Sequence, residues 1–349
     1  MDNLDKCVNE IIENGIAKNI CVRVGIKDDI IIDKYYSQKN LNENTLYDVA
    51  SVTKMIVTAT LIHIAKTKKL LDYENTLCQY FKTTEDKKNI TIANLLTHTA
   101  GIKGGFFQNS SLNYDNVGDF IISQPLEFPV GKKVEYVCQG YMLLGKILEK
   151  VFGSRLDELF KKYIADPLGM NDSTFLPSEN QAFVDCNYRG EAYEVNDFNC
   201  HLLGGIAGNA GLFSNMNDVT KYVKMLLFYG KPLINEDVFK YAIKNHTVNL
   251  NMGKGLGFNI VDKNYTQTGR LFDIGSFGHC GHTGQSVYVH PESGLFAIIL
   301  TDATGTLAKR DINYVHDYTA VCREYDVVCK MREMIHNAIS EDINKIAIR

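Results

Sequence analysis

Between Ala50 and Ala65 the chain is apolar nearly all round a helical wheel, broken near its start by Ser51 and Lys54. A helix of that kind must be wrapped by protein on every side, so the rest of the chain has to build layers around it. Residues three apart share a helix face, which sets Ser51 and Lys54 in one line with Thr58 and Leu61 below them. The hydroxyl and the amine can then meet. Loss of hydration and the positive end of the helix dipole both favour the neutral amine there, and a neutral lysine beside a serine can take its proton. The first N–H groups of a helix lack intrahelical partners and can face an oxyanion. The other reading of the same residues is a helix N-cap at Ser51 with Lys54 reaching out to solvent.

The 349-residue chain can bury a large core, as one domain with an insertion or as two domains. A formal net charge of −4 without a basic cluster speaks against a nucleic-acid partner. No window approaches the roughly 20 apolar residues of a membrane span. The first residues are acidic and polar and lead straight into an amphipathic helix, which together point to the cytoplasm. Nine cysteines (Cys7, Cys21, Cys78, Cys138, Cys186, Cys200, Cys280, Cys322 and Cys329) lack C-x-x-C spacing and fit free thiols in a reducing compartment.

Residues 2–14 read as a helix, and Ile20 to Ile26 and Ile30 to Tyr36 as a hairpin across Lys27-Asp28-Asp29. From about Leu70 to Gly211 helical periods alternate with polar loops. Strands return at 257–261, 285–290 and 295–301, and two helices follow, at roughly 315–325 and 326–344. The expected fold is α/β, or α+β in a stricter vocabulary. It has a mainly antiparallel sheet flanked by N- and C-terminal helices, with a helical subdomain inserted. The α/β lobe takes about 1–70 and 205–349 and the helical lobe about 71–204, with a site between them. The glycine-rich stretch Gly204–Gly211 reads as a tight return to the sheet, because no Gly-Lys-Ser/Thr follows it.

Two places can complete a nucleophilic site. Tyr136 precedes a helix beginning near Tyr141, and a phenol there can relay a proton or merely pack. The glycine-punctuated run Gly278-His279-Cys280-Gly281-His282-Thr283-Gly284 precedes a strand and allows close approach of a ligand. His279, Cys280 and His282 raise the question of a metal, but strand alternation sends the two histidines to opposite faces.

Ser51-Val52-Thr53-Lys54, Leu95-Leu96-Thr97-His98-Thr99-Ala100-Gly101, Tyr136 with Gly140-Tyr141, Gly208-Asn209-Ala210-Gly211-Leu212-Phe213-Ser214 and Gly278-His279-Cys280-Gly281 occur in that order. The set resembles the class C β-lactamase-like serine hydrolases, which include penicillin-binding DD-peptidases, class C β-lactamases, D-aminopeptidases and carboxylesterases. The resemblance implies that Ser51 is acylated, that Lys54 and Tyr136 move its proton, and that the Ser51 and His282 N–H groups form the oxyanion hole. Cys138, His279, Cys280, Gly281 and His282 would border the substrate. It implies a small-molecule or peptide-like acyl substrate and no metal or organic cofactor.

Two positions depart from the family pattern. Tyr136-Val137-Cys138 replaces the usual Tyr-x-Asn, and a thiol cannot both donate and accept as an amide does. His279 stands where β-lactamases carry lysine, so a substrate carboxylate would be held more weakly; Arg310 is a candidate for the missing cation. An ester or amide hydrolase is expected. The alternatives are a true β-lactamase or DD-peptidase, and a catalytically weak binding protein of the same fold.

Overall fold

The computed structural model describes residues 2–37, 40–105, 107, 112–187, 193–263, 265, 267–308 and 318–347. In chain order it begins with α1 (Asn3–Glu13), β1 (Ile20–Ile26), β2 (Asp29–Tyr36) and β3 (Leu46–Asp48). A π-helical segment, Lys54–Ala59, then runs into α2 (Thr60–Thr67). Next come α3 (Ile92–Leu96), α4 (Val117–Ser123), α5 (Gln139–Phe152), α6 (Leu156–Phe160), α7 (Asp166–Leu168), β4 (Phe183–Val184), α8 (Phe198–Leu202) and β5 (Phe213–Ser214). The remainder is α9 (Met216–Leu227), α10 (Glu236–Ala242), β6 (Asn259–Ile260), β7 (Phe277–Cys280), β8 (Ser286–His290), β9 (Leu295–Thr301), α11 (Ala303–Ala308) and α12 (Tyr318–Ala347).

Six strands form one antiparallel sheet in the order β2-β1-β9-β8-β7-β6. The early hairpin joins the late strands through β1 and β9, paired from Ile20 with Thr301 to Ile26 with Leu295. Alternation along β9 sorts its side chains between two cores. Phe296, Ile298 and Leu300 enter the core around the central helix, while Ala297 and Ile299 join a second core with α1 and α12. Buried on both faces, β9 is a continuous apolar run. A small sheet, β4-β3-β5, carries the chain to the start of the central helix.

α1 buries Leu4, Val8 and Ile11 at helical spacing against α12. Its first N–H groups are satisfied from that helix: Asn3 and Leu4 donate to the Asp342 carboxylate at 3.0 and 2.9 Å.

Three expectations need correction. The buried run does not begin as a regular helix. Ser51 to Lys54 turn through i to i+3 backbone bonds, and the helix then widens to π geometry because the Met55 carbonyl accepts from the Thr60 and Tyr222 hydroxyls at 2.9 and 3.0 Å. The strand expected at 257–261 pairs only at Asn259 and Ile260, since Gly257 turns left-handed (φ +94°) against Ala59. The two terminal helices are one, α12; residues 315–317 lie outside the described residues. Among the described residues no helix is long and apolar enough to cross a membrane.

Candidate active site

Ser51 follows a strained turn. Ala50 has φ +47°, a left-handed conformation that costs a residue with a Cβ about 1–2 kcal/mol. Contacts from distant segments impose it. The buried Asp48 carboxylate accepts from the Ala50 N–H at 2.7 Å and the Asn196 N–H at 2.6 Å. The Asp48 carbonyl accepts from Thr283 Oγ1 at 3.1 Å and Gln285 Nε2 at 2.6 Å, and the Val49 N–H donates to the Leu212 carbonyl at 3.0 Å.

Lys54 is fully buried. Its Nζ donates to Ser51 Oγ at 3.0 Å, to the Asn209 carbonyl at 2.9 Å and to Cys138 Sγ at 3.4 Å. The glycine-rich return is therefore a wall of the site. Thr58 Oγ1 donates to the Gly208 carbonyl at 2.6 Å, and a Cβ on Gly208 would come within 2.1 Å of the Tyr141 carbonyl oxygen. Only glycine allows that approach. Among the described residues, neither polar atom of the buried Asn209 side chain has a hydrogen-bond partner, and this amide lies near the Cys138 thiol.

Tyr136 stands between two lysines. Its ring centroid is 5.0 Å from Lys54 Nζ and 5.5 Å from the Nζ of Lys254, a buried residue that the sequence reading did not single out. Although 42% of Tyr136 is exposed, desolvation of the hydroxyl end pushes the phenol well above its ordinary value. Cys138 adds to the rise and a hydrogen bond with Ser51 opposes it. Lys254 donates to Asn259 Oδ1, and burial pulls its amine down to about 8, with the nearby Lys54 charge lowering it further.

Two histidine rings pack on Tyr136, His98 at 4.5 Å and His279 at 6.2 Å between centroids. Burial, then the Lys254 and Lys54 charges, drive both well below the ordinary imidazole value. Their tautomers are opposite. The Val137 N–H donates to His98 Nδ1 at 3.3 Å, which leaves the His98 proton on Nε2. His279 Nδ1 lies 2.7 Å from the Cys280 carbonyl and must donate to it, leaving Nε2 as an acceptor. A neutral His279 holds no carboxylate by charge, and the amines beside Tyr136 are those of Lys54 and Lys254. Arg310 lies outside the described residues.

The strand motif divides. His279 faces Tyr136, but Cys280 turns to the opposite sheet face, with Sγ 3.5 Å from the Tyr288 hydroxyl in the second core. Alternation along β7 removes the Cys280 side chain from the pocket and leaves only its backbone at the edge. His282 lies beyond the end of β7, in a turn, so strand alternation does not decide its direction. Its ring stacks on Tyr325 at 5.7 Å, and burial lowers it to about 4. Gly281 abuts the serine turn: a Cβ there would come within 2.8 Å of the Val49 carbonyl oxygen. The arrangement brings Ser51, Lys54, Tyr136, Cys138 and His279 into one pocket with His98, Asn209 and Lys254. Lysine inside a Gly-Lys-Gly-Leu-Gly run was the one sequence signal for Lys254.

A family model described as Beta-lactamase matches residues 4–320. The chain is 27% identical over 308 residues to a protein of Escherichia coli K12 named "Putative D-alanyl-D-alanine carboxypeptidase", covering 74% of this chain and 69% of that one. It is 24% identical over 359 residues to an N-acetylmuramyl-L-alanine amidase of Bacillus subtilis 168, covering 86% and 81%. Its fold is similar to that of EstCE1, a hydrolase with promiscuous acyltransferase activity, with a TM-score of 0.71 at 17% identity, covering 96% and 97%.

Proposed function

The chain belongs to the Beta-lactamase family of serine hydrolase folds, and from that premise we propose that it cleaves an ester or amide through an acyl-enzyme on Ser51. The observation that carries the proposal is the buried Lys54 Nζ at 3.0 Å from Ser51 Oγ, beneath Tyr136. In the neutral form of Lys54 the 3.0 Å contact runs from the Ser51 hydroxyl to Nζ. Ser51 Oγ then attacks the carbonyl carbon as its proton passes to that amine, and the carbonyl oxygen becomes an oxyanion held by the Ser51 and His282 N–H groups. A phenol pushed upward keeps its proton at neutral pH. Tyr136 is therefore assigned as proton donor to the leaving group, recovering a proton from Lys54 in a coupled exchange. Water then repeats the sequence on the acyl-enzyme.

The substrate is assigned to the cleft between the lobes. Ser51, Lys54, Lys254 and His279 come from the proposed α/β lobe, and His98, Tyr136 and Cys138 from the helical one. The order of motifs favours the class C-like branch. The similar proteins carry carboxypeptidase, amidase and hydrolase names, and the neutral His279 favours substrates without a carboxylate at that position.

One observation supports a second reading, a weak catalyst that binds acyl ligands: Cys138 stands beside the unpartnered Asn209 amide. Intact-protein mass spectrometry after a fluorophosphonate and, separately, a penicillin separates the readings. Adducts that vanish in Ser51→Ala are expected with the fluorophosphonate. A penicillin adduct as well marks a lactam-accepting pocket, and no adduct from either reagent overturns the hydrolase proposal.

A further inference from the structure

Arg332, on α12, is fully buried, and among the described residues its partners are all neutral. Nη1 donates to the Gly281 carbonyl at 2.9 Å, and Nη2 to Gln267 Oε1 at 2.7 Å and Cys329 Sγ at 3.1 Å. The guanidinium carbon lies 5.5 Å from the Tyr325 ring centroid, and among the described residues Nε has no partner. Burying a guanidinium among neutral groups is costly, so its contacts with the described residues need a reason.

Geometry supplies one. In a trans peptide the carbonyl of one residue and the N–H of the next share a plane and point in opposite directions. Arg332 holds the carbonyl of the Gly281–His282 peptide, whose other end is the His282 N–H. The same unit abuts the serine turn, since a Cβ on Gly281 would lie 3.3 Å from Ala50 Cβ. On the far side, Thr304 Oγ1 donates to the His282 carbonyl and fixes the next peptide plane.

We infer that Arg332 is a positioning residue for the oxyanion hole, clamping the Gly281–His282 peptide from behind so that its N–H is aimed at the acyl oxygen. A cation on the carbonyl also draws electron density through the amide and makes the N–H a stronger donor. Arg332 never touches the substrate. The inference rests on the acyl-transfer reading above. A merely structural arginine would anchor α12 without affecting chemistry at Ser51.

The test is the rate at which a fluorophosphonate labels the natural chain, Arg332→Met, Arg332→Lys and Ser51→Ala, followed by intact mass. In labelling, Ser51 Oγ attacks phosphorus, fluoride leaves, the proton passes to Lys54 and the phosphoryl oxygen takes the oxyanion position. Arg332→Met, verified as folded by circular dichroism, is expected to label about tenfold slower or worse, with Arg332→Lys in between. A second readout compares an aryl acetate with its thionoacetate, whose sulfur fits an oxyanion hole poorly. The variants should lose more on the oxygen ester, narrowing the ratio between the two. Labelling of Arg332→Met at the natural rate overturns the inference while leaving Ser51 as the nucleophile. Absence of any Ser51 adduct in the natural chain overturns the underlying reading, and the inference with it. Where Arg332→Met does not fold, Arg332→Lys carries the test: an oxygen-to-sulfur ratio equal to the natural chain's overturns it.

Discussion

The pocket has two walls of different character, and Tyr136 stands between them. On the helix wall, Lys54 is surrounded by acceptors: the Ser51 hydroxyl, the Asn209 carbonyl and the Cys138 thiol. On the strand wall, His279 and Lys254 are groups whose charged forms burial opposes, as it does for His98, which packs on Tyr136 from the helical side. On the proposed mechanism the helix wall holds and passes a proton at a fixed place. The strand wall is built from groups that give protons up, so its charge depends on pH. In the proposed reaction, bond making then falls to one side and adjustment of the field to the other.

Breaking the helix wall should have the largest effect. Lys54→Met is expected to lower kcat about a thousandfold or more, because the serine loses its proton acceptor; stopped-flow hydrolysis of an aryl ester measures it. A loss below tenfold would move the base to the strand wall. Lys254→Met should cost about tenfold in kcat and also alter stability. Between pH 8 and 10.5 the unfolded chain holds the Lys254 proton and the folded chain does not, so stability rises with pH across that window. The shift from 10.5 to about 8 corresponds to roughly 3 kcal/mol. Subtracting the urea stability of Lys254→Met from that of the natural chain at each pH isolates this slope, and a flat difference would refute it.

His282 sharpens the comparison at the acid end. The unfolded chain takes a proton near pH 6.5, whereas the folded chain waits until about 4, so stability falls as pH drops through that interval. His282→Asn should remove part of that loss in acid unfolding curves; an unchanged curve would mean that the ring protonates freely in the fold. The smallest effect is expected from Cys138→Asn. An amide at 138 can pair with the unpartnered Asn209 side chain and raise kcat a few-fold, whereas a rise of a hundredfold or more would favour the weak-catalyst reading.

The two walls were not equally legible. Ser51, Lys54 and Tyr136 sit in compact motifs whose spacing shows in the chain itself, and the hairpin and the late strands alternate clearly enough to predict an antiparallel sheet. Lys254 and His98 acquire meaning only when their segments, 118 and 38 positions from Tyr136 in the chain, meet around its ring. The π-helical start needs the Tyr222 hydroxyl, which lies 167 positions from the Met55 carbonyl it bonds. The motif puts Cys280 at the pocket, and single-residue alternation along β7 takes its side chain to the other sheet face. The expected boundary between helices at 325 and 326 falls inside α12. With no glycine or proline to stop it, the helix continues.

The pairing of β1 with β9 sets an order in time. On a ribosome, Ser51 leaves the exit tunnel long before Ile298 and Arg332, yet the sheet behind the serine and the clamp on Gly281 need both. A nascent chain therefore carries Ser51 for a time without the sheet and the peptide clamp that the proposed chemistry needs. On the proposed mechanism, reactivity toward acyl compounds arrives only once Ile298 and Arg332 have joined the chain and taken their places behind the serine.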